Sequence, residues 1–184
     1  MPSMDRPVLH PSPPDIPVLE TPRLRLRGHA IADFAGLAAL WADPAVTRHI
    51  SGKPSTPEES WARLLRYVGH WALQGFGFWA IEERASGAYV GETGFADFRR
   101  QMEPALGATP EIGWVLSGAV HGKGYATEAV QAALAWGDAQ WGSRPTVCIV
   151  APDNLASIHV ARKCGYRERE RGSYRGEPTI IFER

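Results

Sequence analysis

Hydrophobic and polar positions settle into readable patterns from about residue 18 onward. In "RLRLRG" (Arg23 to Gly28) leucine alternates with arginine, and this period of two puts Leu24 and Leu26 on one face of a half-buried strand. Ile31, Phe34, Leu37, Ala38 and Trp41 then recur at helical spacing, with Pro44 as a stop. A second helix opens at Thr56, the expected N-cap, with Pro57 in the first helical position and Glu59 completing a capping box. Trp61, Leu64, Leu65, Val68 and Trp71 form its apolar face. The middle of the chain changes period. "GFGFWAIEE", "GAYVGETGFADF" and "ATPEIGWVL" are short runs rich in aromatic and β-branched residues, and they predict three consecutive antiparallel strands. A helix follows from about Thr127 to Trp141. "TVCIV" (Thr146 to Val150) has no polar alternation and reads as a strand buried on both faces. A short helix from about Asn154 to Cys164 ends at Gly165, and two strands near Tyr166 to Tyr174 and Pro178 to Phe182 complete the pattern.

This order predicts a single α/β (α+β) domain, with a mixed, mostly antiparallel sheet of about seven strands and helices on both faces. The crossover from "EIGWVL" through the long helix to "TVCIV" is expected to be right-handed, making those two strands parallel. Ligands of such sheets sit at the C-terminal ends of the strands.

A chain of 184 residues suffices for one well-packed domain. Lys+Arg and Asp+Glu balance at 20 each, which argues against nucleic acid or an anionic membrane as partner and for a small molecule or peptide. Residues 1–17 are proline-rich and read as a flexible lead-in to a domain spanning 18–184. With no long apolar run, a soluble, cytoplasmic protein is expected. Cys148 and Cys164 form no redox or metal motif and read as small buried thiols. His29, His49, His70 and His159 show no ligand spacing, so no metal is expected. Trp41, Trp61, Trp136 and Trp141 sit at core spacing, whereas Trp71 and Trp79 flank "QGFGFW" and are candidates to wall an acceptor site.

"HGKGYATEA" (His121 to Ala129) follows a strand and opens a helix. Successive N–H groups at a helix N-terminus converge on anions, and glycines permit close approach. The loop is neither a P-loop, since its lysine lies between the glycines, nor a dinucleotide fingerprint, since Thr127 stands where a third small residue belongs. By itself it is either a phosphate cradle or an ordinary glycine-rich turn.

"EIGWVLSGAVHGKGYATEAVQAALAWG" followed by "VAPDNLASIHVARKCGYRE" resembles the GNAT-type N-acetyltransferases, in particular the branch of Rim-type ribosomal-protein N-terminal acetyltransferases. "ETPRLRLRGHAIADFAGLAALWADPAVTRHI" and "GFGFWAIEERASGAYVGETGF" match that branch as well, so the resemblance spans roughly residues 19–183. It implies that His121, Gly122, Lys123, Gly124, Tyr125, Ala126 and Thr127 form the pyrophosphate cradle of acetyl-CoA, with His121 departing from the usual Gln or Arg. His121 is then either a cofactor contact or a residue hydrogen-bonded at a strand end. The strand Glu111 to Leu116 would splay from Thr146 to Val150, and the pantetheine arm would pair with main-chain groups around Val115 and Leu116. A free N–H near Leu116 would stabilise the oxyanion.

By the same resemblance Asn154 contacts the pantetheine or caps its helix, and Ser157 lies near the sulfur. Ala161 replaces the tyrosine that protonates the leaving thiolate in many relatives, so either Ser157 or water takes that role. The implied reaction is direct acetyl transfer to a primary amine, a protein N-terminus or a small molecule, without a metal. Glu111 and Glu92 are the candidate bases, Glu111 preferred because it begins the strand that lines the thioester. An acyl-CoA sensor with little catalysis is the competing reading. The exposed final strands are compatible with a homodimer.

Overall fold

The computed structural model describes residues 15–184, so most of the expected proline-rich lead-in lies outside the described residues. The alternating leucines of "LRLR" form β2 (Leu24–Arg27), preceded by a two-residue β1 (Leu19–Glu20). A 3-10 turn at Ile31–Asp33 leads into α1 (Phe34–Ala42). Pro44 does not simply stop the chain. It takes the first position of a short α2 (Pro44–Thr47), whose cap Asp43 accepts a hydrogen bond from the Ala45 N–H. The next helix, α3 (Pro57–Gln74), has the expected capping box between Thr56 and Glu59.

β3 (Phe78–Glu83), β4 (Tyr89–Ala96) and β6 (Glu111–Leu116) are consecutive antiparallel neighbours, with a two-residue β5 (Met102–Glu103) in the connection between the last two. α4 (Tyr125–Trp141) crosses over to β7 (Val147–Val150), which runs parallel to β6. α5 (Leu155–Lys163) and the hairpin β8 (Arg167–Tyr174) and β9 (Glu177–Glu183) complete the domain. The sheet order is β1-β2-β3-β4-β6-β7-β9-β8-β5. The nine strands exceed the expected seven by β1 and β5, each too short to carry a periodic signal.

The two faces of the sheet are covered by different helices. Ala129, Val130, Ala133 and Leu134 of α4 pack with Leu24, Leu26, Phe95 and Ile112. On the opposite face, Leu37 and Leu40 of α1 and Leu64 and Tyr67 of α3 pack with Phe78, Ala96 and Val115. Trp71 and Trp79, expected to wall an acceptor site, are instead core residues. They are 5% and 0% exposed and stack edge-on with each other and with Trp136. Trp61, expected in the core, is 39% exposed and rests edge-on against Phe34. Its place on the outer flank of α3 escaped a face defined by periodicity alone.

One pairing departs from a regular ladder. β6 and β7 register only at Glu111 and Val147, with the Val147 N–H donating to the Pro110 carbonyl, and are unpaired beyond that point. The strands splay into a V that opens toward Leu116 and Val150.

Candidate active site

Strand geometry decides which groups face the V. Successive residues of a strand direct their N–H and C=O to alternate edges. The Ser117 N–H donates to the Val90 carbonyl, and the Gly113 carbonyl accepts from Thr93 Oγ1, so residues 113, 115 and 117 address β4. The Pro110 carbonyl addresses β7, and residues 112, 114 and 116 share its side. Val115 is therefore turned toward β4 and cannot pair with a ligand in the V, contrary to expectation. Trp114 and Leu116 are the residues whose N–H groups point into it. The Leu116 carbonyl is already engaged, by His121 Nε2 at 3.1 Å. Since a carbonyl only accepts, that ring nitrogen carries the proton. His121 thus closes the strand end.

The glycine loop follows directly. Gly122 and Gly124 have φ of 74° and 79°, the left-handed region that side chains disfavour, and Gly124 is the N-cap of α4. Among the described residues the N–H groups of Gly122, Gly124, Tyr125, Ala126 and Thr127 find no acceptor. The last three are the free donors of a helix N-terminus. All of His121 to Gly124 is exposed. Lys123 is different: its N–H donates to Val120 at 3.4 Å and its carbonyl accepts from Arg23 Nη1 at 2.7 Å. Its backbone is spent on holding the loop. Tyr125 turns its hydroxyl away from the loop, to Glu83 Oε1 at 2.6 Å. The loop therefore leaves backbone N–H groups open at five positions, while the main chain of the lysine between the glycines is engaged.

Across the V, Asn154 caps α5 by accepting the Ser157 N–H at 3.1 Å. Ser157 is half-buried one turn inside that helix, and its hydroxyl has no hydrogen-bond partner among the described residues. Ala161 is fully buried in the core beside α4, so no phenol reaches the V from that position. Leu155 is 74% exposed at the start of α5, an apolar side chain left bare next to the opening.

Neither candidate carboxylate is free for proton transfer. Glu111 is 5% exposed at the closed end of the V, where Arg100 Nε and Nη2 grip its two oxygens at 2.5 and 2.8 Å. Glu92 is 0% exposed on the α1 and α3 side. An extra residue in β4 opposite the step from Ile81 to Glu82 brings Tyr89 onto the same face as Glu92. Tyr67 and Tyr89 donate their hydroxyls to Glu92, Trp41 Nε1 donates at 2.9 Å, and His29 Nε2 lies 3.7 Å away, beyond hydrogen-bond range. Burial alone would raise the Glu92 carboxyl, but this ring of neighbours outweighs it and holds the group below its ordinary value. Burial, then the charge of Glu92, pushes both phenols far up, so they remain donors. A buried carboxylate with three side-chain donors on it and a lowered pKa is a structural anion and a poor base. His29 and Trp41, which complete this ring, were assigned no chemistry from sequence, since residues 51 or more positions apart carry no local signal.

No group of three metal-ligating side chains occurs among the described residues, and none of their helices is long and apolar enough to cross a membrane. The unpaired edge of β6, the open donors of the loop and the bare Leu155 fit a long amide-bearing thioester ending in phosphates, as coenzyme A does.

Comparison with known proteins agrees with this geometry. Residues 23–167 match the family described as the Acetyltransferase (GNAT) domain. A putative GnaT-family acetyltransferase from Bordetella pertussis superposes with a TM-score of 0.81 at 31% identity, over 91% of this chain and 99% of that one. The uncharacterized N-acetyltransferase p20 of Bacillus licheniformis is 26% identical over 151 residues, 82% of each chain. The fold is shared with the ribosomal L7/L12 α-N-protein acetyltransferase RimL, determined in complex with coenzyme A, at a TM-score of 0.72 and 19% identity over 91% of this chain and 97% of that one. With a matching domain over most of its length and a sheet splayed beside a glycine-lined helix N-terminus, the chain belongs to the GNAT acetyltransferase family and is an acetyl-CoA-dependent N-acetyltransferase.

Proposed function

We propose that this enzyme acetylates a primary amine, the α-amine of a protein N-terminus or of a small molecule, by direct attack within a ternary complex. The observation that carries the reading is the V between β6 and β7, which leaves the Trp114 and Leu116 N–H groups without a strand partner and ends at the open donors of Gly122 and Gly124 to Thr127. Gly122, Gly124, Tyr125, Ala126 and Thr127 hold the pyrophosphate through their N–H groups. Trp114 and Leu116 pair with the pantetheine amides, and one of their N–H groups faces the negative charge that develops on the acyl oxygen. Acetyl-CoA supplies the acyl group already activated as a thioester. Ser157, with its hydroxyl unengaged, donates to the departing sulfur, a mild demand because a thiol with pKa of about 8.5 leaves readily.

The acceptor enters on the α1 and α3 side. There a cleft of about 270 Å³ lies at the Glu111 end of β6, lined by Ala96, Phe98, Arg100, Leu106 and Thr109 among others. Along a strand, Glu111 is about 16 Å from Leu116, so the cleft lies at the far end of the V from the phosphates. With Glu111 and Glu92 both committed to structure, water removes the proton. That suits an α-amine, with pKa of about 7.7 to 8.0, far better than a lysine amine at about 10.4.

The test mixes pure protein with acetyl-CoA and a panel of α- and ε-amines while free thiol is followed. Thiol release at pH 7.5 that is about tenfold or more faster with α-amines is expected. Coenzyme A binding by calorimetry with no thiol release across the panel would instead identify an acyl-CoA sensor.

A further inference from the structure

Glu128 stands in the first turn of α4, four residues after the cap Gly124. A carboxylate there normally complements the helix dipole, but in a helix whose N-terminus receives phosphates it opposes the incoming charge. The fold places an arginine on it. Arg23, at the end of the N-terminal segment before β2, donates through Nε to Glu128 Oε2 at 2.7 Å and brings Nη2 to 2.6 Å from the same oxygen. The Arg23 N–H and Thr21 Oγ1 both donate to Oε1, at 3.0 and 2.7 Å. The remaining arm of the guanidinium, Nη1, donates to the Lys123 carbonyl at 2.7 Å, and the group lies 4.7 Å from the centre of the Tyr125 ring. A Cβ on Gly124 would sit 3.5 Å from Nη2, so the arginine lies directly beneath the loop. Burial pushes the Glu128 carboxyl up, and the bonds from Thr21 and Arg23 outweigh it. The carboxylate stays ionised near neutral pH and its charge needs a counterpart.

We propose that Arg23 is a positioning residue of the phosphate cradle, which cancels the Glu128 charge and draws the Lys123 carbonyl away from the anion so that the loop presents N–H groups alone. The proposal rests on the reading of this loop as the coenzyme A phosphate site. Calorimetric titration of the full-length protein with coenzyme A tests it, using wild type, Arg23→Met, Arg23→Lys, Glu128→Gln and the Arg23→Met/Glu128→Gln double variant. Methionine keeps the apolar stem over Tyr125. Arg23→Met is expected to weaken binding about tenfold, and adding Glu128→Gln to return it to within about threefold of wild type, because the unopposed charge is gone. Arg23→Lys, which keeps the charge and loses the fork, should lose less than Arg23→Met. Binding by Arg23→Met within twofold of wild type overturns the proposal, as does a double variant as weak as Arg23→Met or equal losses with lysine and methionine. Absence of coenzyme A binding by wild type overturns instead the reading of the loop on which the proposal stands.

Discussion

At the scale of single residues, the environment of a carboxylate decides its role more than its place in a motif. Glu111 begins the strand that lines the V, which makes it an attractive base from sequence, but both of its oxygens are taken by Arg100. Arg100 in turn lies 4.5 Å from the Phe98 ring and 4.7 Å from the Tyr174 ring, a cation with few other partners. Glu111→Gln is therefore expected to cost about 3 kcal/mol in urea denaturation, because it leaves a largely buried guanidinium without its anion. Coenzyme A affinity and the pH profile of turnover should be unchanged. A shifted alkaline limb of kcat/KM would return Glu111 to the chemistry. His121 shows the complementary case: its departure from the usual Gln or Arg was legible, whereas its actual partner, the Leu116 carbonyl, depends on the 3-10 turn at Gly118–Val120 that folds the chain back.

At the scale of elements, signals written over many residues were legible and those written over a few were not. The capping box of α3 is local chemistry, four residues with their own donors and acceptors, and Thr56 Oγ1 accepts the Glu59 N–H at 3.1 Å as the sequence implies. Thr56→Ala should lower stability by about 1 kcal/mol and leave coenzyme A binding unaltered, since the cap lies on an exposed helix start away from the loop. A loss of affinity would show that α3 communicates with the V. By contrast β1, β5 and α2 have two to four residues each, too few for a period to show. The extra residue in β4 was equally hidden, because hydrophobicity does not reveal a bulge. It matters, since Tyr89 and Glu92, three positions apart, would otherwise point to opposite faces. The parity that turns Val115 away from the V and Trp114 into it depends in the same way on which edge of β6 meets β4. Spacing points to this strand, and only register selects which of its residues face the V.

At the scale of the whole molecule, two buried anions tie stability to pH. Glu92 sits among Trp41, Tyr67, Tyr89 and His29, and joins α1 and α3 to the sheet. Asp33 is gripped by Arg27 through both nitrogens at 2.8 Å and accepts the Ala30 N–H, fastening the start of α1 to β2. For both, burial raises the carboxyl and these partners outweigh it, so the folded values lie below the ordinary 4.5 and 3.8. A carboxyl depressed on folding contributes stability that is fully present above its unfolded pKa and is lost as pH falls through its folded one. The expected window opens just below pH 4.5 and extends downward. Urea denaturation at pH 7, 5, 4 and 3 should show little change between the first two and a steep loss thereafter. Glu92→Gln discriminates the cause. Its deficit relative to wild type should be largest at pH 7 and shrink as pH falls through the lowered folded value of Glu92, where the carboxyl turns neutral and the amide is nearly its isostere. A deficit constant with pH would mean that Glu92 contributes through shape and hydrogen bonding alone, and that the acid sensitivity of the fold resides elsewhere.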